Sequence, residues 1–314
     1  MHVVVVESPA KAKTIESYLG SSYKVIASFG HIRDLPSSEG SVKPDNNFEM
    51  SWEMDTKGKK QTKIIQDALK SANSLILATD PDREGEAIAW HCANVLKKDT
   101  TTTKRIVFRE ISKQAILHAL QHPRTLNMNS INSQQARRII DRLIGFKLSP
   151  CLWKHINTNE KGLSAGRVQS ALLNLLNERE KMIENYEPEL LLDIKGVFEG
   201  LKDTEFIFTN EFDIEDDFLK KLFKLFKKNR TFQVIKSSKK KEKTYPKKPL
   251  ITSTLQQAAQ SELGYPVKMT MDIAQKLYEN GHITYMRTDS TFISEEYQKK
   301  IQTHLSSTYD DNYY

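Results

Sequence analysis

Two rhythms of apolar residues alternate along the first third of this chain. Residues 2–6 form a continuous β-branched run, which predicts a strand covered on both faces of a parallel sheet. Ser8 is placed to cap a helix whose first position is Pro9, where a missing N–H costs nothing. Ile15, Tyr18 and Leu19 give that helix an apolar stripe, and Gly20 is a natural stop. Further short strands are predicted at 24–28 and 75–79. Helical spacing lies between them at 61–71, and again at 84–97. Strand and helix in alternation predict an α/β fold, a Rossmann-like parallel sheet. Ligands of such sheets sit at the carboxyl ends of the strands. Glu7 and Asp80 each directly follow a strand, so they are expected to share one crevice.

Beyond residue 112 the rhythm changes. Helices are predicted at 113–121, 131–146 and 164–184, followed by strand-like pieces at 190–198 and 205–208. A helix at 215–228 would place Phe218, Leu219, Leu222, Phe223 and Phe226 on one side. Residues 236–249 are polar, basic and broken by prolines, the composition of a linker. Helices resume at 252–263 and 270–280.

Composition adds little. A net charge of +7 tilts the odds toward a polyanionic partner. Cys92 and Cys151 lack metal-ligand spacing and read as reduced thiols of a cytosolic-type protein. The N-terminal apolar run meets Glu7, too early for a signal peptide, and no apolar run nears the roughly 20 residues of a membrane helix. A soluble protein with no membrane partner is expected.

Chemistry concentrates in two segments. In the first, Asp80, Asp82 and Glu84 alternate, so extended backbone would send all three side chains to one side. Carboxylates about 5 Å apart repel by roughly 3 kcal/mol per pair at an effective dielectric of about 20, so a cation or a retained proton is needed. Oxygen ligands favour Mg²⁺. An acidic helix start explains the same spacing equally well, and Arg83 and Glu86 are expected to form surface pairs of little worth. Glu7 and Lys11, four apart across a strand-to-helix turn, fit either a proton shuttle beside a phosphate contact or an ordinary helix-end ion pair.

The second segment is Gly281-His282-Ile283-Thr284-Tyr285-Met286-Arg287-Thr288-Asp289-Ser290. A tyrosine nucleophile needs help because its ordinary pKa is about 10. Arg287 would offset charge on an attacked phosphate, and a short strand would put both side chains on one face. Attack on a phosphodiester leaves a phosphotyrosine and a free hydroxyl, a near-reversible exchange that needs no ATP. No G-x-x-x-x-G-K-[ST] phosphate loop occurs. Periodicity alone does not choose Tyr285 from among eleven tyrosines. Between the two segments, Arg138 and Arg142 share a helix face, and Ser164-Ala165-Gly166-Arg167-Val168-Gln169 opens the next helix with small residues and donors. Such an arrangement suits phosphate, although most helix arginines simply face solvent.

Taken together and in order, Val4-Val5-Val6-Glu7-Ser8-Pro9-Ala10-Lys11, Gly30-His31-Ile32-Arg33-Asp34-Leu35-Pro36, and residues 78–91, 134–142, 164–170, 251–258 and 283–290 resemble the type IA DNA topoisomerases, the bacterial topoisomerase I family. The resemblance implies a Toprim domain over 1–120, a helical single-stranded-DNA-binding domain over 121–187, arch and hinge strands with the basic linker over 188–249, and a nucleophile domain over 250–314. It implies Mg²⁺ at Asp80, Asp82, Glu84 and Glu7, with Glu7 facing the scissile phosphate and Lys11 serving the leaving oxygen. Tyr285 would be the nucleophile that takes the 5′ phosphate, with Arg287 beside it. His31, Gln275, Glu279, Thr288 and Asp289 match positions lining that site or the adjacent DNA. Arg137, Arg138, Arg142, Ser164, Arg167 and Gln169 match the groove for single-stranded DNA. The implied protein is a monomer of the bacterial cytoplasm and nucleoid that relaxes negatively supercoiled DNA without ATP. The family's H-x-x-I-R-P segment, returning arch and zinc-binding tails find no match before Tyr314, so impaired strand passage is expected of this chain. Phe146 replaces another aromatic residue, and 157–161 read as loop variation. Two other readings stand beside this one: a non-catalytic fragment that binds single-stranded DNA, and a Toprim nuclease or primase that would leave Tyr285 idle.

Overall fold

The computed structural model describes residues 1–156, 162–188, 194–197, 205–207, 217–229 and 231–309. In chain order the elements are β1 (His2–Val6), α1 (Pro9–Leu19), β2 (Tyr23–Ala27), β3 (Val42–Lys43), β4 (Glu49–Met50), α2 (Thr56–Leu69), β5 (Ser74–Leu77), α3 (Arg83–Val95), β6 (Lys104–Arg105), α4 (Lys113–Gln121), α5 (Met128–His155), α6 (Arg167–Glu184), β7 (Lys195–Val197), β8 (Glu205–Ile207), α7 (Asp217–Lys228), α8 (Thr252–Leu263), α9 (Val267–Glu279) and α10 (Glu295–Thr308). Their contacts divide into two compact units. One comprises Met1–Arg167 with Lys247–Tyr314, the other Val168–Pro246.

The first unit is organised by a parallel sheet in the order β2-β1-β5-β6. The apolar run of β1 is explained by its central place: Val4 and Val6 join one core layer while Val3 and Val5 join the other. Ile15 of α1 and Ile116 of α4 pack on the Val4 side, together with Ala274, Tyr278, Tyr285 and Met286 from the end of the chain. Ile65 of α2, Ile88 and Cys92 of α3, and Ile131 of α5 cover the Val3 side. The C-terminal segment is thereby packed onto the sheet's core, although about 170 residues separate Ala274 from β6, the last strand of that sheet.

Helix starts follow the sequence closely. The side chains of Ser8, Asp55, Asp82, Ser112 and Asn127 each accept a backbone N–H from the first turn they precede. Gly20 closes α1 with φ 71°. Several boundaries differ from expectation: α2 begins at Thr56, not 61, α5 at Met128, not 131, and α9 at Val267, not 270. The helix predicted at 131–146 continues past Pro150 to His155, where the Trp153 indole donates to the Leu163 carbonyl at 2.6 Å. The helix predicted from 164 begins at Arg167, and the Ala165 N–H donates instead to Ser149 Oγ at 3.0 Å. The segment containing Tyr285 is not a strand: residues 280–294 carry neither helix nor strand.

In the second unit, β7 and β8 pair antiparallel, with Lys195 opposite Ile207. The remaining positions of the strand predictions at 190–198 and 205–208 lie outside the described residues. Within α7, Leu219 is buried. The expected linker at 236–249 is exposed and carries no helix or strand.

Candidate active site

Parallel pairing of β1 with β5 brings the residues that follow each strand to the same edge of the sheet. The Asp80 N–H donates to Glu7 Oε1 at 3.0 Å. Lys11 is 1% exposed, and its ammonium donates to Asp80 Oδ1. Asp82 is not part of an extended acidic row. It caps α3, accepting the Gly85 N–H at 2.8 Å, and Glu84 sits in the helix's first turn. The acidic helix start is therefore real, yet the acids also converge. Glu7, Asp80, Asp82 and Glu84 line one cavity of about 250 Å³ with Asp272, Gln275 and Arg287. Glu84 accepts hydrogen bonds from Gln134 Nε2 at 3.1 Å and shares one with His31 Nε2 at 3.2 Å.

Tyr285 reaches these acids from a loop. Its N–H donates to the Arg109 carbonyl at 2.7 Å, and its ring is buried. Gly281, which turns the chain out of α9, has φ 77°, and a Cβ there would lie 2.8 Å from the Ile111 carbonyl oxygen. The Tyr285 hydroxyl donates to Asp82 Oδ2, and Arg287 Nη1 stands 3.6 Å from that same oxygen. The expected pairing of Tyr285 with Arg287 thus arises through a shared carboxylate, not through strand alternation.

Electrostatics set the protons. Burial, then the neighbouring Asp80 charge, pushes the Glu7 carboxyl up to about 8, although Lys11 pulls the other way. The hydrogen bond from His31 holds Glu84 down at about 2 despite partial burial. Burial and the hydrogen bond to Asp82 raise the Tyr285 phenol above its ordinary range, so it keeps its proton here.

Three groups at or beneath the site escaped the sequence reading. Tyr278 is fully buried, edge to face with Tyr285, and the Lys11 ammonium lies 5.1 Å from its ring centre. Its hydroxyl finds no hydrogen-bond partner among the described residues. Glu86, expected at the surface, is 3% exposed. Arg105 Nε donates to it at 3.0 Å, Arg124 Nη2 at 2.6 Å and the Asn127 N–H at 2.7 Å. Burial pushes Glu86 up, but the Arg124 hydrogen bond and the Arg105 charge leave it below the usual carboxylate range. Arg105 in turn donates to the Asp80 carbonyl at 2.7 Å, fixing the backbone of the acid turn. The third group lies under His31. Arg33 stacks on Trp52 and Trp90 and donates to His91 Nδ1 at 2.7 Å. Burial lowers His91 to about 3, so it is a neutral acceptor. Adjacent aromatic residues were the available signal for this cluster.

The remaining candidates are dispersed. Arg138 pairs with Asp34, and Arg142 Nη2 donates to the Leu35 carbonyl at 3.2 Å. With Phe146 and Trp153 they line a second cavity of about 630 Å³. Arg137 and Arg167 flank Asp141 at 3.6 and 3.1 Å. Ser164 is exposed just before α6. Gln169 belongs to the second unit, where it is exposed in the first turns of α6. Gln275 lines the acid cavity and donates to Glu279 at 2.9 Å. Thr288 exchanges hydrogen bonds with Thr252, and Asp289 is exposed beside it.

Among the described residues no three acid, histidine or cysteine side chains form a closed metal-ligating set. Asp80 is engaged by Lys11, Asp82 by Tyr285 and Glu84 by His31. The donor chemistry still fits a hard cation, because five carboxylates line one cavity, and burial with the Asp80 charge keeps a proton on Glu7.

Comparison with known proteins converges on one family. Residues 125–314 match the family model described as DNA topoisomerase, and residues 2–111 match the Toprim domain. DNA topoisomerase 1 of Rickettsia bellii is 47% identical over 338 residues, an alignment covering all of this chain and 42% of the relative. That of Rickettsia felis is 46% identical over 342 residues, covering all of this chain and 43% of the relative. The structure of full-length topoisomerase I from Thermotoga maritima superposes with a TM-score of 0.83 at 40% identity, over 98% of this chain and 52% of that one. No helix among the described residues is long and apolar enough to cross a membrane. The chain belongs to the type IA DNA topoisomerase family, and it spans 42–43% of the length of these curated relatives.

Proposed function

We propose that these residues form the cleavage centre of a type IA topoisomerase, which cuts and rejoins one strand of single-stranded or negatively supercoiled DNA. The observation that carries the reading is the hydrogen bond from the Tyr285 hydroxyl to Asp82, a contact between residues 203 apart in sequence. Tyr285 Oη attacks the phosphorus, its proton passes to Asp82, and the bond from phosphorus to the 3′ oxygen breaks. Glu7, which retains its proton to about pH 8, supplies one to the departing 3′ oxygen with Lys11 beside it. Arg287 offsets charge on the phosphate. The product is a 5′-phosphotyrosine and a free 3′ hydroxyl. Reversal restores every proton and needs no ATP, because one phosphodiester replaces another.

Glu7, Asp80, Asp82 and Glu84 would hold Mg²⁺, which when bound supplies positive charge against the phosphate. His31, Gln275, Glu279, Thr288 and Asp289 lie along the path of the strand at the site. Arg137, Arg138, Arg142, Ser164, Arg167 and Gln169 track its phosphates further along. The domain limits read from the sequence, a monomeric state and a place in the bacterial cytoplasm belong to the same proposal.

A covalent-trapping assay tests it. Labelled single-stranded oligonucleotide and Mg²⁺ are incubated with the protein, quenched with detergent, and run beside Tyr285→Phe. A protein–DNA band present in the parent and absent from the variant is expected. No band from folded protein, or an equal band from Tyr285→Phe, would refute the assignment.

A further inference from the structure

Glu84 is held by two partners at a single oxygen. His31 Nε2 lies 3.2 Å from Oε2, and Gln134 Nε2 donates to the same atom at 3.1 Å. The partners differ in standing. His31 is exposed, on the loop between β2 and β3, whereas Gln134 belongs to α5 and is 4% exposed. No hydrogen bond among the described residues engages Glu84 Oε1, so one oxygen of this cavity-lining carboxylate is fixed and the other is left for a ligand. We propose that Gln134 is a positioning residue for the cation site, holding the Glu84 carboxylate in the orientation that binds Mg²⁺. This role rests on the Mg²⁺ site proposed above and adds what aims one of its acids.

Gln134 is a costly residue where it stands. Its carbonyl oxygen is buried without a partner among the described residues. A buried acceptor left unsatisfied costs about 1–3 kcal/mol. Turning the amide over is worse, because its carbonyl would then face the Glu84 carboxylate, acceptor against acceptor. The preceding turn of α5 shows what packing alone asks for: Ile131 is fully buried in one apolar cluster with Ile88 of α3. An apolar side chain at 134 would fill the space with no orphaned atom. What the glutamine supplies, and an apolar residue does not, is the donor to Glu84.

The helix that carries Gln134 also governs the second partner. Gln134, Arg138 and Arg142 recur at four-residue intervals in α5, so they share a face. Arg138 holds the Asp34 carboxylate and Arg142 the Leu35 carbonyl, both in the loop that follows His31. Both donors to Glu84 are thereby tied to α5, one directly and one through its loop. Removing an outer partner of this kind from a metal ligand costs about 10- to 100-fold in metal affinity.

The test is calorimetric titration of the full chain with Mg²⁺ alone, parent beside Gln134→Met, with thermal unfolding measured in the absence of metal. Methionine is close to glutamine in volume and removes both the donor and the orphaned oxygen. Mg²⁺ affinity is expected to fall about 10-fold or more, with the metal-free Tm unchanged or higher. In a Glu84→Gln background, which removes the charge that Gln134 orients, Gln134→Met should change the remaining affinity little. Equal losses in both backgrounds overturn the role, since Gln134 would then act on the site without Glu84. Unchanged affinity in Gln134→Met overturns it and leaves the Mg²⁺ site standing. A lower metal-free Tm in that variant also overturns it, because the residue would then be holding the fold. No Mg²⁺ binding by the parent overturns the cation site and this role with it.

Discussion

The rings of Tyr278 and Tyr285 stand edge to face with centroids 5.1 Å apart, both inside the core layer that contains Val4 and Val6. The candidate nucleophile is aimed by packing, and Tyr278 is the part of that packing with a polar atom left over. Burial, followed by the Asp80 charge, drives its phenol well above the ordinary range, so it stays neutral. Tyr278→Phe is therefore expected to be neutral or to stabilise by up to about 1 kcal/mol, with trapping retained. Tyr278→Ala should cost about 3–5 kcal/mol and most of the adduct. Urea titrations of both variants decide this, and a clear loss of stability in Tyr278→Phe would mean that the hydroxyl has a partner.

Glu86 and Arg105 make a second prediction. Both are buried, and Arg105 connects Glu86 to the Asp80 carbonyl. Arg105→Leu leaves a buried carboxylate short of one cation and should cost about 3–5 kcal/mol. The double change Arg105→Leu with Glu86→Leu should recover part of that loss. Equilibrium unfolding of the single and double variants checks it, and equal stability of the two would assign the loss to packing alone.

His91 gives a pH dependence with a definite sign. Its folded value, about 3, lies below its ordinary 6.5 because burial and then Arg33 oppose the charged form. Between those values the unfolded chain binds the extra proton, so stability falls as the pH drops from about 6.5 towards 3. The slope attributable to this residue is at most about 1.4 kcal/mol per pH unit. His91→Gln keeps an acceptor for Arg33 and removes the titration. Unfolding curves across pH 4 to 7 should be flatter in the variant by about this slope; parallel curves would contradict the shift.

Gly85 carries the fourth prediction. A Cβ there would lie 2.2 Å from the Asp80 carbonyl oxygen and under 3 Å from two more backbone atoms of that residue. Nothing flexible is available to move. Gly85→Ala should displace the acid turn, cost about 1–3 kcal/mol and abolish trapping. Normal trapping by Gly85→Ala would show that the turn tolerates displacement.

Caps and apolar periodicity made much of the first unit legible. Ser8 with Pro9 fixed the start of α1, and the unbroken run at 2–6 marked a central strand. Features with distant causes were not legible. Glu86 looked like a surface acid because its partners Arg105 and Arg124 follow 19 and 38 residues later. The loop of Tyr285 has no periodicity to read, and the Arg109 carbonyl that holds it belongs to another segment. The chemistry of Asp82 was visible as an acid, but its double role as helix cap and tyrosine acceptor depends on two partners, one of them 203 residues away.

The separation of Tyr285 from Asp82 along the chain has a consequence during synthesis. Residues emerge from the ribosome in order, and the sheet with its acidic edge is complete once α5 has followed it. At that moment Glu7, Asp80, Asp82 and Glu84 have all been made, while Ala274, Tyr278 and Tyr285, which cover the Val4 side of the sheet, have not. Any metal or nucleic acid reaching the nascent acids meets no Tyr285, the nucleophile we propose. On the proposed function, a half-made chain lacks the group that would attack DNA.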